Sequence, residues 1–345
     1  MQKLLVIRND KLGDFMLAWP AFALLKQSAP TLKLTALVPE YTAPLAEICP
    51  YLDEVIIDAK DKKDKVAFQQ VLNEIKGRNF DGVISFVSDV YNAKLTWKSA
   101  IPYRLAPATK LIQFLYNHRL TQRRSQSAKA EFEYNLDLAR AFLADQHLSA
   151  VEPAPPYLTF APSAVEKQKV FLAESLALSM QKKWLFVHSG SGGSANNLSL
   201  RQYADLIEGI TDVFDCEVIL TAGPNESEKV HQLAGLLQGK QARVYDKNQG
   251  LVDFAHSLAC ADLFMSGSTG PLHLSGALNI PTVGFYPSRL SALPRRWRPI
   301  NEKGRHIAFM PPEGKATEKN LTLIKIDEAM LQIIPFIRRH WDSSC

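Results

Sequence analysis

Strand-like apolar segments alternate with helical patterns along most of the chain, and this alternation restricts the fold more than any other feature. In the first half the strand-like segments are residues 4–8, 32–38, 54–59 and 82–87, and the apolar spacing between them suits helices. The alternation starts again at KKWLFVHSG and continues through EVILTAG, ARVYDK, DLFMSG and TVGFYPS. Strands that alternate with helices form parallel sheets covered by helices. The sequence therefore predicts an α/β protein.

The length of the chain predicts two domains, because 345 residues exceed what one ordinary core holds. Four prolines within VEPAPPYLTFAPSA indicate an approach to a linker. We expect two doubly wound, Rossmann-like domains facing across a cleft. Their predicted ranges are 1–165 and 166–325, followed by an amphipathic helix in 326–345 that packs back across the domains.

The composition excludes several classes of protein. It is 46% hydrophobic and 22% charged, as in soluble globular proteins. No apolar run reaches the roughly 18 residues that span a bilayer, and the start MQKLLVIRNDKLGD is typical of a first strand rather than a signal peptide. The four widely spaced cysteines predict a reduced, cytoplasmic protein without structural zinc. The net charge of +5 permits an anionic partner without requiring one.

The loop after the first strand, RNDKLGD, contains the first candidate for chemistry. Ligands of parallel sheets bind outside the carboxyl ends of the strands. Gly13 allows a tight turn, and Asp14 follows at the start of a helix. Asp14 suits either a helix cap or a general base. A helix N-terminus stabilises the carboxylate and so weakens it as a base, although it could still accept a proton late in the reaction.

Two loops of the second half have compositions suited to a nucleotide. HSGSGGSANNLS, after a strand, is either an anion-binding nest of amides or a flexible loop, and its glycines match neither a P-loop nor GxGxxG. In TAGPNES, Glu226 or Glu228 could bind ribose hydroxyls or cap the next helix. Both alternatives stay open for each loop.

A third loop, SGSTGPLHLSGAL, places Thr269 and Gly270 at the start of a helix, where backbone N–H groups favour phosphate. His273 lies one turn further on, and we expect it to orient or pack rather than to catalyse. Together the loops predict a phosphorylated nucleotide held by the C-terminal domain.

These segments, in order, resemble glycosyltransferase family 9, the ADP-heptose:lipopolysaccharide heptosyltransferases. The resemblance covers nearly the whole chain and includes DGVISF and EFEYNL. The GD of the first loop and TGPLHL are its most specific parts.

The resemblance implies a GT-B fold, with the donor nucleotide in the C-terminal domain and the acceptor on the N-terminal domain. It implies an inverting, metal-independent glycosyltransferase that moves a sugar, heptose from ADP-heptose, onto a lipopolysaccharide core acceptor. Asp14 falls on the position of the family's proposed base, and no DxD triplet is present. Neither a cofactor nor a nucleic-acid partner is expected. The implied location is cytoplasmic, with peripheral contact at the inner membrane.

Two positions depart from the family pattern. Asn196 and Asn197 stand where a lysine or arginine is usual, and Ser268 stands where an aspartate is usual. A non-catalytic sugar-nucleotide or glycan-binding protein and a sugar-nucleotide epimerase therefore remain alternatives. The expected donor-binding residues are Ser189, Gly190, Ser191, Gly192, Gly193, Asn197, Arg201, Glu226, Ser268, Thr269, Gly270 and His273.

The basic segment HRLTQRRSQSAK has no apolar pattern to bury. It is either a solvated loop or a site for a phosphorylated glycolipid, since the arginine fork binds two phosphate oxygens at once. The predicted acceptor-binding residues are Lys11, Arg119, Arg123 and Arg124.

Overall fold

The computed structural model describes residues 1–192, 196–237 and 242–342. The predicted donor residue Gly193 lies outside these ranges. The chain forms two compact units, Met1–Tyr157 and Leu158–Cys345. The boundary expected after residue 165 falls inside a helix, Pro162–Leu176. Pro162 occupies its first turn, where proline is favoured, so the last proline of the presumed linker begins a helix instead.

The first unit is built on a parallel sheet in the order β3-β2-β1-β4-β5-β6. At the centre of the sheet, Ile7 pairs with Leu37 on one side and Ser85 on the other. The four predicted strands are confirmed. The strands are β1 (Lys3–Ile7), β2 (Lys33–Val38), β3 (Glu54–Ile57), β4 (Gly82–Ser85), β5 (Tyr103–Pro107) and β6 (His118–Leu120).

The helices of the first unit are α1 (Leu12–Met16), α2 (Trp19–Ser28), α3 (Ala43–Glu47), α4 (Lys65–Gly77), α5 (Val90–Lys98) and α6 (Glu131–Asp145). The single helix predicted for FMLAWPAFALLKQSAP is divided between α1 and α2. Pro20 lies in the first turn of α2, where its missing N–H costs nothing, whereas inside a continuous helix it would remove a hydrogen bond.

Sequence reasoning missed the two strands at one edge of this sheet. The segment LIQFLYNHRL has an apolar spacing that suits a helix, but it forms a 3₁₀ segment, Leu111–Leu115, and then β6. Strand β6 has three residues, each partly or fully exposed, so it carries almost no apolar periodicity.

The second unit repeats the plan, with the sheet order β12-β11-β10-β7-β8-β9. In both units the first strand lies inside the sheet, and the order in which the chain adds strands reverses beside it. Ligands of such sheets bind at this switch point, which falls between β1 and β4 and between β7 and β10. The strands are β7 (Lys183–His188), β8 (Cys216–Thr221), β9 (Ala242–Tyr245), β10 (Leu263–Gly267), β11 (Thr282–Phe285) and β12 (His306–Phe309).

The last helix, Ile326–Asp342, packs into the core of the second unit. Its residues Ile333 and Ile337 are buried in the same apolar cluster as Ile207 of the helix Leu200–Thr211. The predicted contact of residues 326–345 with both domains stays a prediction. No helix in the described ranges is long and apolar enough to cross a membrane. The helices are α7 (Pro162–Leu176), α8 (Leu200–Thr211), α9 (Ser227–Leu236), α10 (Leu251–Leu258), α11 (Gly270–Ala277), α12 (Pro294–Trp297) and α13 (Ile326–Asp342).

Candidate functional site

A buried arginine at the end of β1 organises the candidate catalytic loop. The side chain of Arg8 is 2% exposed, and its Nη2 donates to Asp14 Oδ1 at 2.5 Å. Its Nε lies 3.0 Å from Asp10 Oδ1, and its Nη2 lies 3.6 Å from Glu131 Oε1. Burial alone would lower the pKa of the guanidinium, but the three carboxylates raise it above its ordinary value. Arg8 is therefore a permanent cation at the switch point of the first sheet.

Asp14 lies in the first turn of α1, but its side chain does not cap that helix. The N-cap position is Lys11, and the helix has no side-chain cap hydrogen bond. The carboxylate of Asp14 instead accepts the hydrogen bond from Arg8 and remains partly exposed. The structure therefore does not show Asp14 as a helix cap, and its role as a general base stays a prediction.

Asp10 is a second carboxylate on the same arginine, which sequence reasoning did not single out. Burial raises the pKa of Asp10, Arg8 lowers it and Asp14 raises it, so that its pKa is about 6. Its charge therefore changes close to neutral pH. Because Asp10 shares Arg8 with Asp14, its protonation alters how strongly Arg8 acts on Asp14.

Arg124 completes this cluster, although the sequence placed it with the acceptor-binding residues. Its Nη1 donates to Glu131 Oε1 at 2.7 Å and to the carbonyl of Phe86 at 3.1 Å. A buried carboxylate requires counter-charges, and Glu131 receives them from Arg124 and Arg8. Arg124 is thus engaged in the protein interior. The other predicted acceptor residues, Lys11, Arg119 and Arg123, are exposed.

A buried amide network fixes the course of the first loop. Asn9 Nδ2 donates to Asp58 Oδ2 at 2.6 Å and to Asn92 Oδ1 at 2.8 Å. Asn9 follows β1, Asp58 follows β3, and Asn92 lies in α5. The network therefore joins three segments of the first unit. Sequence reasoning missed it, although the polar residues shortly after β1 and β3 were an available signal.

In the second unit, a carboxylate of the protein itself occupies the amide nest predicted for phosphate. Glu226 Oε1 accepts from the amides of Ser191 and Gly192, both at 2.7 Å, and Oε2 accepts from the amide of Gly223 at 2.9 Å. Burial raises the pKa of Glu226, but the hydrogen bonds from these amides outweigh burial and hold the pKa below its ordinary value. Glu226 occupies the N-cap position of α9 without a side-chain cap bond. A Cβ at Gly190 would overlap this carboxylate, so the close approach requires glycine.

His188, at the end of β7, lies beneath this carboxylate and was not singled out from the sequence. Its Nε2 is 3.5 Å from Glu226 Oε2, and its Nδ1 is 3.0 Å from Thr221 Oγ1. Burial lowers the pKa of His188 to about 4. The imidazole is therefore neutral near pH 7 and leaves Glu226 with its full negative charge.

Asn197, one of the departures from the family pattern, shapes the loop after β7. Its Nδ2 donates to the carbonyls of Ser189 and Gly190 at 2.9 and 3.1 Å. Its Oδ1 accepts from Tyr203 Oη at 2.7 Å, and that hydroxyl accepts from the amide of Gly267 at 3.0 Å. The side chain thus connects the loop after β7 with the end of β10. These hydrogen bonds account for an asparagine at position 197, where the family pattern has a lysine or arginine.

Arg201, expected near the donor phosphates, is engaged on the surface of α8. Its side chain is 61% exposed and forms ion pairs with Asp205 at 2.7 Å and Glu208 at 3.4 Å. The structure does not bring it into the network of loop residues around Glu226.

The start of α11 carries two buried polar atoms without a hydrogen-bond partner in the part of the chain that the structure describes. They are Thr269 Oγ1 and His273 Nδ1. Thr269 is the N-cap residue of α11 but makes no side-chain cap bond. Burial lowers the pKa of His273 to about 4, so this imidazole is neutral. Buried polar atoms are nearly always satisfied, and these two therefore suit a bound ligand beside Ser268 and Gly270.

The described residues contain no group of three histidine, cysteine, aspartate or glutamate side chains placed to hold a metal ion. The three cysteines within the described ranges, Cys49, Cys216 and Cys260, are free thiols.

Comparison with known proteins assigns the chain to a family. The model of glycosyltransferase family 9 (heptosyltransferase) matches residues 70–325. A Haemophilus influenzae protein provisionally named a glycosyltransferase is 65% identical over 100% of this chain and 99% of its own length. Lipopolysaccharide heptosyltransferase 3 of Escherichia coli is 21% identical over 84% of this chain and 83% of its own.

Solved structures support the same fold. The Escherichia coli ADP-heptose lipopolysaccharide heptosyltransferase II has a TM-score of 0.77 at 16% identity, covering 98% of this chain and 99% of that one. The two parallel six-stranded sheets and this likeness confirm the predicted α/β, GT-B fold. The chain is an enzyme of the glycosyltransferase class and belongs to glycosyltransferase family 9.

Proposed function

We propose that this protein moves heptose from ADP-heptose onto a lipopolysaccharide core acceptor, with inversion and without a metal ion. The family model supports this assignment, as do the names of two similar proteins, both of which are called lipopolysaccharide heptosyltransferases. The observation that carries it is the Asp14 carboxylate, fixed by the buried Arg8 at the switch point of the first sheet.

In the proposed reaction an acceptor hydroxyl attacks the anomeric carbon of the donor. The bond between that carbon and the diphosphate oxygen breaks, and the hydroxyl proton passes to Asp14. Arg8 orients the Asp14 carboxylate through their hydrogen bond. Asp10 and Glu131 lie beside the same guanidinium and compensate its positive charge. Asp14 is therefore held in place at an arginine whose charge is shared among three carboxylates.

We place the donor diphosphate at the start of α11, where Thr269 Oγ1 and His273 Nδ1 are buried without protein partners among the described residues. The helix N-terminus favours the negative charge that develops as the diphosphate leaves. The amides of Ser191 and Gly192 are already bound to Glu226. The nest therefore serves to hold Glu226, and we assign that carboxylate to the ribose hydroxyls.

A second candidate function is donor binding without turnover. Ser268 stands where the family usually has an aspartate, and the side chain of Asn197 is engaged within the loop. At position 268 the aspartate that could contact the donor is missing, and at position 197 the side chain is already bound within the protein. The family assignment favours a transferase over the epimerase alternative.

Titration calorimetry tests the donor assignment. We expect ADP-heptose and ADP to bind, UDP-, GDP- and CMP-linked sugars to bind more weakly, and binding to persist in excess chelator. The variant Thr269→Val keeps the shape of the side chain but removes the hydroxyl, so we expect it to bind ADP-heptose more weakly. Binding that favours UDP-sugars, or that disappears in chelator, would contradict the proposal.

A further inference from the structure

One stretch of the first unit carries positive charge without any acidic residue. Residues 90–130 contain eight lysines and arginines and no aspartate or glutamate. Arg124 and Lys129 are paired with carboxylates outside the stretch, and Arg104 donates to two carbonyls. The remaining five are exposed at the surface: Lys94, Lys98, Lys110, Arg119 and Arg123.

The same stretch exposes large apolar side chains. Leu111 is 86% exposed and Phe114 is 70% exposed in the 3₁₀ segment between β5 and β6, and Trp97 of α5 is 54% exposed. Exposing apolar surface to water costs free energy, and exposed apolar side chains that cluster therefore mark interaction sites. The guanidinium of Arg119 lies over the ring of Phe114, 5.3 Å from its centroid, which brings a cation to the apolar tip.

The two segments that bear these side chains are neighbours. Ala93 of α5 packs in one buried cluster with Tyr116, against which Ile112 and Leu115 also pack. These inward contacts leave Leu111 and Phe114 exposed. On α5, Lys94, Trp97 and Lys98 are exposed, while Ala93, Leu95 and Thr96 are buried. We call Trp97, Leu111, Phe114 and the exposed cations Lys94, Lys98, Lys110 and Arg119 the docking surface.

We propose that the docking surface holds this protein on an anionic phospholipid bilayer. Leucine, phenylalanine and tryptophan side chains insert at the boundary between headgroups and acyl chains, while nearby lysines and arginines bind the anionic headgroups. The stretch itself contributes no carboxylate that would repel a negatively charged surface, and Asp145, which contacts the stretch, is bound by His118 and Tyr103. The inference adds a lipid contact to the proposed function but does not depend on sugar transfer.

Co-sedimentation with vesicles that contain no lipopolysaccharide tests the proposal. We expect wild type to bind vesicles of phosphatidylglycerol and phosphatidylethanolamine, to bind phosphatidylcholine vesicles weakly, and to dissociate as salt screens the charges. The double variant Leu111→Ser, Phe114→Ser should bind anionic vesicles about tenfold or more weakly, because two large apolar groups are lost.

A matched control uses two exposed apolar residues of the second unit. Phe171 is 55% exposed and Leu331 is 77% exposed, so the double variant Phe171→Ser, Leu331→Ser removes similar apolar groups elsewhere. It should bind like wild type, and circular dichroism should show all three proteins folded.

Any of three results would overturn the proposal. In the first, wild type fails to bind anionic vesicles, and in the second, the Leu111/Phe114 variant binds them as well as wild type does. In the third, the control variant loses as much binding as the Leu111/Phe114 variant. Self-association of wild type that the Leu111/Phe114 variant loses, without vesicle binding, would assign the surface to a second copy of the chain instead. Since the vesicles lack acceptor, a failure of sugar transfer leaves this test unaffected.

Discussion

At the scale of single residues, the candidate base depends on charges that meet only in the folded chain. Asp14 accepts a hydrogen bond from Arg8, and Asp10 and Glu131 lie on the same guanidinium. A base next to an arginine is normally weak, because the cation favours the ionised carboxylate. The additional carboxylates reduce that penalty, and this effect can be measured.

Replacing Asp10 by asparagine should weaken Asp14 as a base. The substitution removes a negative charge beside Arg8, so the positive charge of Arg8 is less compensated and holds the Asp14 carboxylate more strongly. We expect the turnover number above pH 7 to fall by about threefold to thirtyfold. In wild type, activity should also decline as pH falls through the pKa of Asp10, about 6. The variant should lack that limb.

Steady-state kinetics between about pH 5 and pH 8 check this prediction, with Asp61→Asn, an exposed aspartate of the same unit, as the control. The interpretation of Asp10 is wrong if Asp10→Asn matches wild type in both turnover and pH profile.

Sequence reasoning identified Asp14 but not the residues that surround it. The GD pair is local, and its position after a strand is visible in the sequence. The contact between Arg8 and Glu131 joins positions far apart in the chain, and no local pattern reports it. For the same reason Arg124 looked like a free surface cation, whereas a buried carboxylate holds it.

At the scale of elements, the loops of the second unit have different tasks from those their compositions indicated. The glycine- and serine-rich loop after β7 was expected to receive phosphate, but Glu226 occupies its amides. The composition correctly indicated amides that bind an anion. It could not indicate that the anion is supplied by the chain 35 residues away. The start of α11 remains the place where polar atoms lack protein partners within the described ranges.

Replacing Gly270 by valine should block the donor. Gly270 begins α11, and a branched side chain there would prevent a phosphate from approaching the backbone closely. We expect calorimetric affinity for ADP-heptose to fall by about tenfold or more, since each 1.4 kcal/mol of lost contact is a factor of ten. The control is Gly235→Val in α9, where an added Cβ meets nothing within 4 Å. Equal donor affinity in a folded Gly270→Val protein would show that the diphosphate binds elsewhere.

At the scale of the whole molecule, the alternation of strands and helices was largely predictable, whereas β6 and β12, at one edge of each sheet, were not. Buried central strands such as β1 and β10 are continuous apolar runs, and their alternation with helices defines a doubly wound fold. Strands β6 and β12 lie at sheet edges and are short and partly exposed, so their sequences resemble loops. The helix Pro162–Leu176 was missed because a proline-rich approach concealed its start.

The most direct test of the account is a transfer assay that compares wild type with Asp14→Asn. The assay supplies ADP-heptose and a heptose-deficient lipopolysaccharide core, and mass spectrometry of the acceptor measures the product. We expect wild type to add one heptose in the presence of chelator. Asp14→Asn should remain folded and bind ADP-heptose normally but turn over about two to four orders of magnitude more slowly, as for a lost general base. Wild type that binds ADP-heptose without transferring it, or Asp14→Asn activity within a few-fold of wild type, would contradict the account.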